Sequence, residues 1–103
     1  MIKQEVSKEF SRLRSFGFLV VNFNDSRPLR KQQKSFVDFF ITNGKYLVFV
    51  EIKIGRDVLS EGQKETGRYL SSASIHNKNT FYKLLTNMGQ VRKLTDDLLS
   101  GKL

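Results

Sequence analysis

The sequence predicts an α/β fold, a three-layer sandwich of helices around a mixed central sheet. Segments with helical spacing of apolar residues alternate with short apolar runs, which predicts the element order α-β-β-β-α-β-α. The runs FVDFFIT and YLVFVEIKI, on either side of Asn43-Gly44, are apolar at most positions. Strands of this kind are typical of a sheet that helices cover on both faces.

The N-terminal part of the chain predicts a helix, a strand and a loop. Apolar residues recur at helical spacing from Ile2 to Leu13, which predicts a helix over residues 2–15 that ends before Gly17. The run FGFLVVNF predicts a strand near residues 18–23. The segment NDSRPLRKQQKS contains the only proline and several basic residues, so it predicts a basic loop.

The dipeptide Asn43-Gly44 between two apolar runs predicts a β-hairpin. A two-residue turn at this dipeptide places Asp38 opposite Phe49. Because side chains alternate along a strand, Asp38, Glu51 and Lys53 then share one face, with Glu51 diagonal to Asp38 at roughly 7–8 Å. The opposite face carries only apolar residues: Val37, Phe39, Ile41, Val48, Val50, Ile52 and Ile54.

The C-terminal part predicts two helices and the fourth strand. SEGQKETGRYLSS predicts a helix that begins at Ser60, and SIHNKN predicts a polar loop. TFYKLLT predicts a strand, and MGQVRKLTDDLLSGKL predicts an amphipathic helix with Val91, Leu94 and Leu98 on one stripe. A chain of 103 residues is the length of one domain, so we expect residues 1–103 to form a single domain.

The composition favours a polyanionic partner. The formal net charge is +8, with 18 Lys and Arg against 10 Asp and Glu, and such an excess favours nucleic acid ahead of an anionic membrane surface. The chain has no cysteine, which excludes disulfides and thiolate metal sites. Its apolar runs are shorter than the roughly 18 residues of a membrane span. We therefore expect no membrane partner. We also expect a cytoplasmic location, with which the absence of cysteine is compatible without being evidence for it.

The polar residues of the hairpin form a candidate chemical site. Two carboxylates on neighbouring strands, Asp38 and Glu51, suit a hard divalent cation because such ions prefer oxygen ligands. Lys53 could orient a water molecule or offset charge on a phosphate. The alternative is a structural cluster of ion pairs at a sheet edge, and the spacing alone leaves both interpretations open.

The segments VDFF, VEIK and LSEGQ, in this order, resemble the PD-(D/E)xK nuclease superfamily. Within it, the sequence is most similar to the small stand-alone VRR-Nuc type of phage or bacterial nuclease, over nearly the whole chain. The resemblance implies a restriction-endonuclease-like fold and a phosphodiester hydrolase that cleaves DNA with Mg²⁺ or Mn²⁺. Val37 is a departure, since the family usually has proline before the aspartate.

The resemblance also implies residue roles. It implies these metal ligands: Asp38, Glu51 and the backbone carbonyl of Ile52. Lys53 would be the catalytic lysine, and Gln63 would be the active-site glutamine of the next helix. An acid on the first helix, Glu5 in preference to Glu9, would complete the site and could recruit a second ion. Ser60 and Gln63 also fit a helix capping box, which is the structural alternative for Gln63.

Basic residues near these positions are candidates for binding DNA phosphates. They are Arg27, Arg30, Lys31, Lys34, Arg56 and Lys64. The alternative for those in the basic loop is a solvated linker. We expect duplex or branched DNA, rather than a small molecule, as the substrate.

The resemblance makes a homodimer that resolves four-way junctions plausible, in the cytoplasm of a bacterium or of a phage-infected host cell. Two other functions stay open on the sequence. One is a non-catalytic, basic nucleic-acid-binding module on the same fold, and the other is a basic interaction protein with no nucleic-acid role.

Overall fold

The computed structural model of the chain describes residues 2–25, 36–55 and 58–103. Within them, four strands form one mixed sheet in the order β1-β2-β3-β4. The strands are β1 (Leu19–Asn22), β2 (Phe39–Thr42), β3 (Leu47–Ile52) and β4 (Thr80–Leu85). The helices of the described residues are α1 (Ile2–Ser11), α2 (Glu61–His76) and α3 (Met88–Ser100). The α/β class and the mixed sheet predicted from the sequence are confirmed.

The sheet contains both antiparallel and parallel pairs of strands. β1 pairs antiparallel with β2, and β2 pairs antiparallel with β3 across a short loop. β4 pairs parallel with β3, because the chain crosses over through α2 before it enters β4. β4 and β1 are therefore the two edges of the described sheet.

The first helix is shorter than the predicted helix over residues 2–15. The α-helix ends at Ser11 and continues as a 3-10 helix over Arg12–Phe16, which keeps Leu13 fully buried. Gly17 ends this segment with φ at 89°, a left-handed conformation that glycine adopts without strain. The Gly17 N–H donates to the Arg14 carbonyl at 3.2 Å and so caps the last turn.

The loop between β2 and β3 corrects the predicted hairpin register. Thr42 pairs with Leu47, so the loop is longer than the predicted two-residue turn. The Asn43 side chain explains this, because its Oδ1 accepts hydrogen bonds from the N–H groups of Lys45 and Tyr46 at 2.9 and 3.0 Å.

The predicted pairing of Asp38 with Phe49 is therefore wrong. Phe49 pairs with Phe40. A slip of two residues preserves the alternation of side chains, so the predicted assignment of residues to the two faces stands.

One face of the sheet packs on α1 and α3 and forms the core. The rings of Phe10 and Phe39 meet edge to face with centroids 5.0 Å apart, which joins α1 to β2. The face predicted to be apolar is the buried one, and Ile54 packs against it partly buried. The main core side chains are Val6, Phe10, Leu13, Phe39, Ile41, Val48, Val50, Ile52, Val91, Leu94 and Leu98.

α2 packs on the opposite face of the sheet, over β4. A Cβ atom added at Gly67 would lie 2.9 Å from the hydroxyl of Tyr82, so the two elements approach closely there. α2 runs to His76, beyond the start of the predicted polar loop, and the loop that remains begins at Asn77. In the part of the chain that is described, no helix is long and apolar enough to cross a membrane.

Candidate functional site

Asp38 lies immediately before β2 and is held by the backbone of β3. Its own N–H donates to the Val50 carbonyl at 3.0 Å. Its carboxylate atom Oδ2 accepts a hydrogen bond from the Ile52 N–H at 2.9 Å. The side chain thus takes over, at the end of β3, the acceptor role that a strand carbonyl would otherwise fill. Only 8% of Asp38 is exposed.

Glu51 lies beside Asp38 on the neighbouring strand. The last pair of the β2–β3 register is Phe39 with Val50, and one further step along each strand reaches Asp38 and Glu51. Glu51 is 2% exposed. Burial of two neighbouring carboxylates is costly unless cations or hydrogen-bond donors accompany them. The two carboxylates that the sequence assigns to one candidate site therefore occupy neighbouring positions in the fold.

Ile52 and Lys53 follow Glu51 directly at the end of β3. The Lys53 N–H donates to the Leu85 carbonyl at 2.9 Å, so the parallel pairing with β4 fixes the backbone at this point. Lys53 is half-buried, and it follows Glu51 by two residues, which is the repeat of one strand face. The described structure thus places four residues at one end of β2 and β3: Asp38, Glu51, Ile52 and Lys53.

Tyr82 on β4 lies in the electric field of this site. Its pKa is raised above the ordinary value of 10.0, first by burial and then by the negative charges of Glu51 and Asp38. Tyr82 pairs with Phe49 in the parallel register, which places it on the same sheet face as Glu51. Sequence reasoning missed Tyr82, although alternation along TFYKLLT would have indicated it once the β3–β4 register was known.

The donor atoms at this end of the sheet fit a hard divalent cation. Carboxylates and backbone carbonyls are the ligands that Mg²⁺ and Mn²⁺ take in proteins, and Asp38, Glu51 and the Ile52 carbonyl offer these types. Across residues 2–25, 36–55 and 58–103, no group of three or more His, Cys, Asp or Glu side chains gathers in one place. A metal here would therefore be held by a carboxylate pair together with backbone or solvent oxygens.

A cavity of about 670 Å³ opens beside Asp38, between α1 and the ends of the strands. A chain of hydrogen bonds runs along the cavity wall from Ser7 on α1 to the Asp38 carboxylate. Asn22 Nδ2 donates to Ser7 Oγ at 3.3 Å, and the Asn24 N–H donates to Asn22 Oδ1 at 3.0 Å. Asn24 Nδ2 donates in turn to Asp38 Oδ1 at 3.3 Å. Sequence reasoning placed Asn24 at the start of the basic loop and gave it no role.

The structure places Gln63 in a helix cap. Gln63 Oε1 accepts the Ser60 N–H at 3.0 Å, and the Gln63 N–H donates to Ser60 Oγ at 3.2 Å. This is the reciprocal capping box that begins α2. The structural alternative for Gln63 is thus observed, and one of its side-chain atoms is already engaged.

The acids of α1 lie on a different side of the helix from the cavity. Glu5 and Glu9 line a shallow cleft with Arg12 and Arg92, between α1 and α3. Glu9 forms an ion pair with Arg12 at 2.8 Å. The flank of α1 that faces the cavity instead carries Ser7 and its neighbours. The structure does not bring Glu5, the preferred first-helix acid, together with the carboxylate pair.

The residues predicted to bind DNA fall mostly outside the described part of the chain. Those outside it are Arg27, Arg30, Lys31, Lys34 and Arg56. Lys64 is described, and it lies exposed on α2 with its Nζ 3.4 Å from Glu61 Oε1. An exposed pair of this kind contributes little to stability and leaves Lys64 accessible to a partner.

No family model matches the chain, and no curated protein matches it. A proposal about function therefore depends on the residues and the geometry described above.

Proposed function

We propose that the chain is a metal-dependent DNA endonuclease on a restriction-endonuclease-like fold, similar to the small VRR-Nuc type. The observation that carries the proposal is the meeting of Asp38 and Glu51, both buried, at the adjoining ends of β2 and β3. Lys53 follows at the end of the same strand. Carboxylates from two strands can hold a metal ion for hydrolysis of a phosphodiester, and the lysine two residues beyond can act on the attacking water or on the phosphate charge.

Each residue of the site has a distinct role in the proposal. Asp38, Glu51 and the Ile52 carbonyl would hold Mg²⁺ or Mn²⁺. The chemistry that such an ion would supply is polarisation of a phosphate and a lower pKa of a water molecule. The Ile52 N–H fixes the Asp38 carboxylate in position. Lys53 orients the attacking water or offsets negative charge as the phosphorus–oxygen bond breaks. Gln63 stabilises the start of α2 and is given no catalytic part.

The charge of the chain supports DNA as the substrate. A net charge of +8 favours binding to phosphates without sequence preference, and such binding weakens steeply as salt rises. One active site cuts one strand, so a symmetric homodimer would suit duplex or branched DNA, including four-way junctions. The basic segment from Arg27 to Lys34 precedes Asp38 in the sequence and contributes to this charge.

A second candidate function is a non-catalytic nucleic-acid-binding module. The observation that favours it is the engagement of the Asp38 carboxylate, whose two oxygens accept hydrogen bonds from Asn24 and Ile52. In that case Asp38 would hold strand ends together, and the basic surface alone would matter. The two candidates differ in whether the chain breaks phosphodiester bonds.

A cleavage assay separates the two candidates. Labelled linear, flap and four-way-junction DNA would be incubated with the purified chain in Mg²⁺, Mn²⁺ or EDTA. We expect cleavage with either metal and none in EDTA. Lys53→Met should reduce cleavage by about 100-fold while binding is retained, because the lysine acts on the transition state. Lys102→Met, an exposed lysine near the C-terminus, is the matched control.

Two results would reject the proposed mechanism, in which a metal and Lys53 act in cleavage. One is cleavage that persists in EDTA, and the other is a Lys53→Met chain that cleaves like the wild type. Binding without cleavage in every metal, by a folded wild-type chain, would favour the non-catalytic module.

A further inference from the structure

The cavity beside Asp38 is lined by few charged residues, although the protein is strongly basic. Its volume of about 670 Å³ is within the range of about 300–1,000 Å³ that single small ligands occupy in proteins. Most of its wall is apolar, and the polar part comes mainly from residues with an amide or hydroxyl group: Gln4, Ser7, Ser11, Asn22 and Asn24.

The base of the cavity is apolar, and charges are few around it. Val6, Phe39 and Ile52 supply apolar surface. Lys8 is the one cation among the described lining residues, and Asp38 is the one carboxylate. A phosphate group would be poorly held here, because its binding usually takes several cationic or backbone donors and an adjacent carboxylate opposes it.

The hydrogen bonds in the wall hold the polar groups in place. The chain of contacts from Ser7 through Asn22 and Asn24 to Asp38 fixes two amide side chains that can donate and accept. Amides pair with the edge of a nucleobase, which presents donors and acceptors side by side. The apolar side chains that also line the cavity, Val6, Phe39 and Ile52, suit the face of a base.

We infer that this cavity takes one unpaired nucleobase of the DNA strand that is cut. The inference depends on the proposed function, since it assigns the substrate class of the same site: DNA that contains an unpaired or extruded nucleotide. The base would enter between α1 and the sheet. The hydrogen bond from Asn24 to Asp38 connects this cavity with the pair of carboxylates, Asp38 and Glu51. Fully paired duplex has no base free to enter.

A binding experiment in EDTA tests this inference without any cleavage. Three fluorescent duplexes would be compared by anisotropy: one with a single bulged thymine, one with an abasic bulge at the same place, and one fully paired. The abasic duplex keeps the phosphates and the distortion but lacks the base. We expect the thymine bulge to bind about tenfold tighter than the abasic bulge.

Variants of the cavity wall make the test specific. Ser7→Leu fills the cavity from α1, and leucine is at least as good a helix former as serine. Ser11→Leu narrows the cavity one turn later and serves if the first variant is poorly folded. Either variant should bind the two bulges equally. Ser72→Leu, at an exposed position of α2 away from the cavity, should keep the preference.

The outcomes also separate this inference from the endonuclease. Equal binding of thymine and abasic bulges by the wild type, or a preference that survives both leucine variants, would overturn the inference even if the chain cleaves DNA. A preference lost in the leucine variants would support it even if no cleavage occurs. Free thymidine is a further arm: if it binds while the bulge gives no preference, the ligand is a free nucleoside and the DNA assignment is rejected.

Discussion

Asp38 Oδ2 lies 2.9 Å from the backbone nitrogen of Ile52 and accepts its N–H. This single contact ties the start of β2 to the end of β3 and sets the Asp38 carboxylate beside Glu51. Asp38, which is proposed to hold a metal, therefore also stabilises the fold. Its two roles can be separated, because they respond differently to substitution.

We expect Asp38→Ala to lower the free energy of unfolding by about 1–3 kcal/mol, because the buried Ile52 N–H would lose its acceptor. Urea denaturation followed by circular dichroism measures this loss. Asp96→Ala removes an exposed carboxylate from α3 and should change the same free energy by less than about 0.5 kcal/mol. Equal stability of the Asp38→Ala and wild-type chains would show that the contact does not hold the strand ends.

The capping box predicts that substitutions of Ser60 and Gln63 affect the stability of the fold and leave DNA cleavage unchanged. Ser60→Ala should cost about 1 kcal/mol of stability, because the first turn of α2 loses an acceptor. Gln63→Glu preserves the box and should keep stability, since glutamate also reaches back to the N-cap. Gln63→Ala should cleave DNA at the wild-type rate per folded molecule. A large fall in cleavage with unchanged stability would instead give Gln63 a catalytic role.

Close packing between Gly67 and Tyr82 predicts coupling between them. Helix propensity favours Gly67→Ala by about 1 kcal/mol, but the new Cβ would lie 2.9 Å from the Tyr82 hydroxyl, and overpacking costs about 1–3 kcal/mol. We expect Gly67→Ala to be less destabilising in a Tyr82→Phe chain than in the wild type, because the hydroxyl is gone. Urea denaturation of the four proteins measures the difference, and strict additivity would contradict the packing.

The Tyr82 pKa reports on the carboxylate pair. Burial and the charges of Glu51 and Asp38 raise this pKa above 10.0, so the folded chain keeps a proton that the unfolded chain has lost. The corresponding stability is present below pH 10.0 and is lost as the pH rises through the folded-state pKa. Glu51→Gln should lower the Tyr82 pKa, because it removes one negative charge, but burial of Tyr82 would still keep this pKa raised.

Ultraviolet titration of tyrosinate measures that shift. Tyr82→Phe assigns the signal, because the chain has two other tyrosines, Tyr46 and Tyr69. Tyrosine titration that is the same in the Glu51→Gln and wild-type chains would show that Glu51 does not act on Tyr82.

Alternation along the strands was the part of the site that the sequence could supply. The buried face with Val48 and Val50, and the placement of Asp38 near Glu51, follow from a period of two and survive a register slip of two residues. The register itself could not be predicted, because Asn43 lengthens the loop through side-chain hydrogen bonds that compete with a tight turn.

The role of α1 depends on tertiary packing rather than on periodicity. Val6 and Phe10 define a buried stripe, but a stripe does not reveal which flank of the helix meets the end of the sheet. Ser7 occupies that flank and Glu5 occupies the other. Local signals were reliable where the cause is local, as for Ser60, which caps α2.

Binding of Mn²⁺ tests the central claim most directly. The free-ion signal in electron paramagnetic resonance would be followed as Mn²⁺ is added to the wild type, Glu51→Gln and Asp96→Asn chains, without DNA. The account predicts a site on the wild type and on Asp96→Asn that is at least about tenfold weaker in Glu51→Gln, since a carboxylate ligand is lost. Identical binding by all three folded chains, or no binding to the wild type, would contradict a metal held by Asp38 and Glu51.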